Sequence, residues 1–168
     1  MICERRRTPL AWVLVLVSAC ASPASPTPAG AEVPGTVSSD VGAAIVQLTN
    51  AERSSGGVAP LRASGRLNQA AQIQADQMVQ LGRLDHVLSG AKYPRPEDRL
   101  AAVGYQWRAY AENIAMGQTS PAAVMDSWMH SSGHRANILN ANLTEIGVGV
   151  ARDSAGRPYY VQVFGTPR

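Results

Sequence analysis

Apolar positions follow a helical rhythm through most of the chain and a strand rhythm at its end. Val41, Ala44, Ile45 and Leu48 recur at three- and four-residue spacing. They mark the buried stripe of a helix that opens near Ser39 or Asp40, both good N-caps, and stops at Gly56-Gly57. A second stripe of Leu67, Ala70, Ala71, Gln74, Met78 and Leu81 predicts a helix that starts after Ser64 and ends at Gly82 as C-cap. Pro96-Glu97-Asp98 open a short helix reaching Ala102, its acids at the positive end of the helix dipole. Residues 105–117 show no clear period. Ser120-Pro121 supply an N-cap and a first-turn proline for a helix through Trp128 and Met129. Gly133 interrupts it, and a further helical turn covers 135–139. The pattern then changes. Residues 146–150 and 159–164 are β-rich and flank Asp153-Ser154-Ala155-Gly156-Arg157, which predicts an antiparallel hairpin. Helices first and paired strands last predict an α+β fold, with helices covering an antiparallel sheet.

The first twenty residues follow another logic. Arg5-Arg6-Arg7 precede an apolar run over 10–17, and Val17-Ser18-Ala19 supply the small residues of a cleavage site. A bilayer span needs roughly 20 apolar residues, so this run reads as an export signal over 1–19. Cys20 follows at once, and Val-Ser-Ala-Cys resembles a bacterial lipobox, in which the cysteine carries acyl chains that hold the protein at the membrane. Residues 20–38 are rich in Pro, Ser and Ala and read as a disordered tether. The folded domain is expected over 39–168.

Composition narrows the partners. Removing residues 1–19 takes three arginines and one glutamate, so the formal charge falls from +3 to +1. No basic stripe with interleaved aromatics is left, which excludes a nucleic-acid partner. The two cysteines are Cys3 and Cys20, so the domain contains no disulfide and relies on packing.

Function classes fall in the same way. There is no glycine-rich phosphate loop, no Gly-x-Ser-x-Gly elbow, no His-Glu-x-x-His pair and no cysteine in the domain to act as nucleophile. The histidines are His86, His130 and His134. Several ordered motifs remain: Asn50-Ala51-Glu52-Arg53, Leu84-Asp85-His86, Asp98-Arg99 with Gly104-Tyr105, Glu112-Asn113-Ile114, the run from Trp128 through Gly133-His134-Arg135 to Asn137-Ile138-Leu139, and Ile146-Gly147-Val148-Gly149. In this order they resemble the bacterial branch of the CAP superfamily, which includes cysteine-rich secretory proteins, insect venom antigens and plant pathogenesis-related proteins. The resemblance covers residues 40–166.

The resemblance implies an α-β-α sandwich and a cleft holding two histidines and two acids, with divalent metal bound there in some members. His86 matches the first histidine, Glu112 the first glutamate and His134 the second histidine. Ser131 stands where the second glutamate would be, which leaves three of the four groups. Two imidazoles and a carboxylate are the donor set of an open zinc site, whose water could attack a carbonyl. Equally, all three can be paired groups that brace loops. Asn137, one helical turn from His134, is expected to orient it. His130 reads as a surface residue, and Trp128 and Tyr105 as core anchors. Three functions stay open: a module binding a small ligand, lipid, partner protein or divalent metal such as zinc through His86, Glu112, His134, Ser131 and Asn137; a metal-dependent envelope hydrolase with Glu112 as catalytic candidate; and a structural spacer.

Overall fold

The structure, a computed structural model, describes residues 34–168. The expected signal, Cys20 and most of the expected tether lie outside the described residues. Among the described residues nine elements follow in chain order: α1 (Pro34–Ser55), β1 (Arg62–Ala63), α2 (Gly65–Leu81), α3 (Pro96–Ala102), β2 (Trp107–Met116), α4 (Pro121–Met129), α5 (Ser132–Ile138), β3 (Glu145–Arg152) and β4 (Pro158–Pro167). α1 starts five residues ahead of Ser39, at a proline whose missing N–H costs nothing in a first helical turn. No helix of the described residues is long and apolar enough to cross a membrane.

The strands form one sheet in the order β1-β3-β4-β2. β4 runs antiparallel to both long neighbours, as the predicted hairpin requires, whereas β1 pairs parallel to β3 through Arg62 and Ala63. The sheet is therefore mixed rather than purely antiparallel. Residues 105–117, which showed no period, contain a ten-residue strand. An irregularity between Trp107 and Ala109 shifts the alternation, and the polar pair Glu112-Asn113 hides it further.

Helices cover both faces. Alternate side chains of β4 enter two separate cores. Tyr160 and Phe164 join Ile45, Trp128 and Ile138 beneath α1, α4 and α5. Tyr159, Val161 and Val163 join Leu67, Met78, Leu88, Leu100 and Tyr105 beneath α2 and α3. Trp128 and Tyr105 are core residues, as expected.

α2 lies on β3 backbone to backbone. A Cβ on Gly147 would stand 2.0 Å from the carbonyl carbon of Leu67, and one on Gly149 would stand 2.3 Å from that of Ala71. Four helical residues rise about 6 Å and two strand residues about 6.7 Å, so Leu67 and Ala71 stay in step with Gly147 and Gly149. The adjacent α2 side chains reach round the edge of the sheet. Asn68 Oδ1 accepts from Val148 N at 2.9 Å, and Gln72 Oε1 accepts from Val150 N at 3.1 Å.

Gly147→Ala should therefore lower the urea midpoint by the equivalent of about 3 kcal/mol or more, since helix and strand must separate to admit the methyl group. An unchanged midpoint would show that α2 can shift freely.

Candidate functional site

Two buried arginines hold the loops from which the site is built. Arg53 of α1, 1% exposed, gives its guanidinium only to main-chain oxygens: Ala59 at 2.7 Å, Ile138 at 2.8 Å, Asn140 at 2.9 Å and Leu143 at 3.2 Å. It thereby ties α1 to the end of α5, and burial lowers its pKa. Arg99 of α3, also 1% exposed, donates to both oxygens of Glu112, at 3.1 and 2.9 Å, and to the carbonyls of Tyr93, Pro94 and His86. Removing one member of such a buried pair generally costs about 3–5 kcal/mol, because the other charge is left unpaired.

His86 lies in the loop between α2 and α3. Gln74 Nε2 holds the Asp85 carbonyl at 2.7 Å, Arg99 holds the His86 carbonyl at 3.2 Å, and Leu88 is fully buried just beyond. The ring Nδ1 is 2.9 Å from Glu112 Oε1. A carboxylate accepts, so Nδ1 carries the hydrogen and Nε2 is left for a ligand. The His86 side chain is 48% exposed and that of Glu112 3%, so the imidazole covers the carboxylate.

His134 arrives from the opposite layer. Successive residues of a strand face opposite sides of a sheet, so Glu112 meets α3 while Asn113 meets α5. Asn113 Nδ2 donates to the His134 carbonyl at 3.2 Å and to Gln162 Oε1 at 3.1 Å. Gln162 Nε2 continues to Thr49 Oγ1 at 2.7 Å, and Thr49 Oγ1 to the Ile45 carbonyl. Asn137 does not reach the His134 ring. It donates to Asn113 Oδ1 at 2.9 Å and to the Glu112 carbonyl at 3.4 Å, and so braces the strand that carries the carboxylate. Ser131 is half-buried at the start of α5, where its hydroxyl makes no capping bond. His130 is exposed and bonds within its own helix, in keeping with a surface role.

The two histidines differ electrostatically. The hydrogen bond to Glu112 raises the His86 pKa above its ordinary 6.5, against the opposing effect of burial. Burial, and then the charge of His86, lowers the His134 pKa. The charge of one ring is felt at the other.

The expected three-donor metal set is not assembled. Among the described residues no group of three or more His, Cys, Asp or Glu side chains is placed to hold a metal ion. Both Glu112 oxygens are taken by Arg99, and one also meets His86, so a zinc ion would find only the two imidazoles. His86, Glu112 and His134 do not line the concavities of about 860, 490 and 880 Å³ found elsewhere on the described residues. The site is open. Leu81, Leu84 and Val87, the exposed large hydrophobic residues of the described chain, all lie close to His86 in sequence.

A family model described as "CAP: Cysteine-rich secretory protein family" matches residues 46–164. The chain belongs to the cysteine-rich secretory protein (CAP) family. This CAP chain is 39% identical over 132 residues to the uncharacterized protein YkwD of Bacillus subtilis (strain 168), covering 75% of the chain and 51% of YkwD. It is 32% identical over 120 residues to the uncharacterized membrane protein YlbC of the same organism, covering 71% of the chain and 33% of YlbC. The chain thus spans about half and about a third of these curated relatives. Among solved structures it resembles an extracellular SCP-domain protein of Bacillus anthracis str. Ames, with a TM-score of 0.73, 26% identity, and coverage of 81% of this chain and 44% of that one. An outer surface protein of Borrelia burgdorferi shares the fold, with a TM-score of 0.67, 18% identity, and coverage of 74% and 90%. The α+β CAP fold follows from this.

The electrostatics predict opposite pH trends for the two histidines. A raised folded-state pKa contributes stability fully present below 6.5 and lost as pH rises through the folded value. A lowered one contributes stability present above 6.5 and lost as pH falls through the folded value. His86→Ala should therefore lose more thermal stability, relative to wild type, at pH 5.5 than at pH 8.5. His134→Ala should show the reverse. Melting curves giving equal losses at both pH values would sever Glu112 and burial from the histidine charges.

Proposed function

We infer that this CAP domain is an exported binding module whose ligand site is centred on His86 and His134. The observation that supports this most is the state of Glu112. Its carboxylate is buried, paired with Arg99 through both oxygens and covered by His86 on one, an environment that holds it as a charged structural partner and disfavours the hydrolase reading. The imidazoles are different, because each retains ring nitrogen within reach of solvent. Asn137 supports the strand that carries Glu112 from the α5 side. A ligand or partner with a polar group would meet the imidazoles, while its apolar part would lie on Leu81, Leu84 or Val87, the large hydrophobic side chains that the described residues leave exposed. The loop presenting them is gripped from below by Gln74 and Arg99 and needs little ordering when it binds.

Export rests on the signal-like residues 1–19, and anchoring on Cys20. In this reading the domain works at the outer face of the cell membrane, held there by acyl chains.

Native mass spectrometry of the chain recovered from expressing cells should reveal a small-molecule or protein adduct that is absent from His86→Ala/His134→Ala. The same adduct on both proteins, or none on either, would remove the site. Turnover of peptides or cell-wall fragments that is lost in Glu112→Gln would favour the hydrolase instead. For the anchor, Cys20→Ala should move the protein from the membrane fraction into the medium, and retention in the membrane fraction would count against acylation.

A further inference from the structure

The concavity of about 880 Å³ shares no residue with the histidine site, and its chemistry is different. β1, the first turn of α2, the residues between α3 and β2 and the end of β4 all contribute to its wall. Three arginines stand in that wall, Arg62, Arg66 and Arg168, against one acid, Glu145. Residues 34–168 hold twelve basic and ten acidic residues, so this wall alone carries the whole positive excess of the described chain. A carboxylate at the end of the chain would still leave the wall positive. We propose that this concavity is a second binding site, which takes the phosphate group of a small, hydroxylated phosphate ester.

The acid of the wall is already committed. Glu145, 5% exposed, accepts from the Tyr105 hydroxyl at 2.9 Å and pairs with Arg62, whose side chain is itself 74% exposed. Glu145 therefore offsets Arg62 and holds its guanidinium at the wall. Neither Arg66 nor Arg168 pairs with an acid among the described residues. Arg168 is fixed through its backbone N–H on the Gln106 carbonyl at 3.2 Å and its Nε on the Trp107 carbonyl at 3.0 Å, which leaves its terminal nitrogens unpaired among the described residues. Arg66 lies in the first turn of α2, the positive end of the helix dipole, where an acid would be the favourable residue and none is present. The N-cap Ser64 makes no side-chain bond to that turn, and Gly65 and Arg66 are exposed. Charges of one sign thus gather without a counter-charge, a breach of the usual pattern that sequences tolerate at functional sites.

The lining also selects the ligand. Guanidinium forks match the oxygens of a phosphate, and a helix N-terminus adds to the attraction. The side chains of Ser64, Gln69 and Gln106 make no hydrogen bond among the described residues and offer partners to hydroxyl groups. The wall contains no large aliphatic side chain, which disfavours an apolar ligand. Its volume lies within the range of small-molecule sites, about 300–1,000 Å³. The proposal is independent of the histidine reading and survives its failure.

The test is a nuclear magnetic resonance titration of the chain recovered from expressing cells with glycerol 3-phosphate, alongside glycerol and inorganic phosphate. The amide signals of Gly65, Arg66 and Gln106 should shift and saturate with glycerol 3-phosphate, respond more weakly to inorganic phosphate and ignore glycerol. Arg66→Gln and Arg168→Gln should each weaken binding roughly fivefold, as the loss of one charge-assisted bond at an exposed site implies. Arg152→Gln removes the same charge at the other end of β3 and should leave binding unchanged. No saturation with either phosphate would overturn the proposal. Equal weakening in Arg66→Gln and Arg152→Gln would do so too, since overall charge would then explain the effect. Vesicles of phosphatidylcholine and phosphatidylglycerol distinguish the source of the phosphate: wild type and Arg66→Gln should sediment with them to the same extent. Sedimentation that Arg66→Gln abolishes would assign the phosphate to a lipid headgroup and overturn the small ester.

Discussion

A narrow sheet has two rims, and every peptide group along them needs a hydrogen-bond partner. This constraint shapes the molecule. On the β3 side, β1 supplies only two residues, and beyond it the amides of Asn68 and Gln72 take over the strand's partners. On the β2 side no further strand follows among the described residues. There the Asn137 amide meets the Glu112 carbonyl and the Trp128 indole N–H meets the Ile114 carbonyl at 3.2 Å. Even the approach to β1 is managed in this way, since the Asn50 side chain bonds both the N–H and the carbonyl of Leu61. The site residues gather where they do because the β2 rim has to be closed by α4 and α5 on one side, while the α2–α3 loop reaches Glu112 on the other.

The buried cations complete this arrangement. Arg53 and Arg99 are long, planar donors that bond several carbonyls at once, a task for which a lysine ammonium is poorly shaped. Arg53 meets carbonyls only. Arg99 adds a carboxylate, and through it fixes the orientation of an exposed imidazole. Stability and chemistry therefore share one side chain, and the loop carrying His86 is ordered by the same contacts that neutralise Glu112.

Much of this was legible in the residues. Helix stripes, caps and the closing hairpin follow from periodicity and turn chemistry, and α2, α3 and α4 lie where those signals place them. β2 was not legible. Its alternation is reset by an irregularity near Trp107, and its central residues are a buried acid and a buried amide, which a hydrophobicity pattern reads as loop. The same blind spot hid the site's structural partners. Glu112 and His86 stood out through the family resemblance, but Arg99 stood only as part of a motif, because no local signal reveals that a charged residue is fully buried. Asn113 could have been found by a simpler route: once 107–116 is a strand, neighbours 112 and 113 must face opposite layers. Residues 146–150 form the hairpin strand that their pattern predicts, but nothing in that pattern shows that Gly147 and Gly149 also admit a helix backbone.

The contact between α2 and β3 joins positions 80 residues apart, and β4, the strand feeding both cores, comes after every other element of the domain. The helices of the first half thus leave the ribosome with their apolar stripes lacking the surface they are shaped to cover. Folding has to wait for β4 and then close long-range pairings, which is intrinsically slow. Neither core can close until the last strand has been made, so the two halves of the domain become stable together rather than in turn.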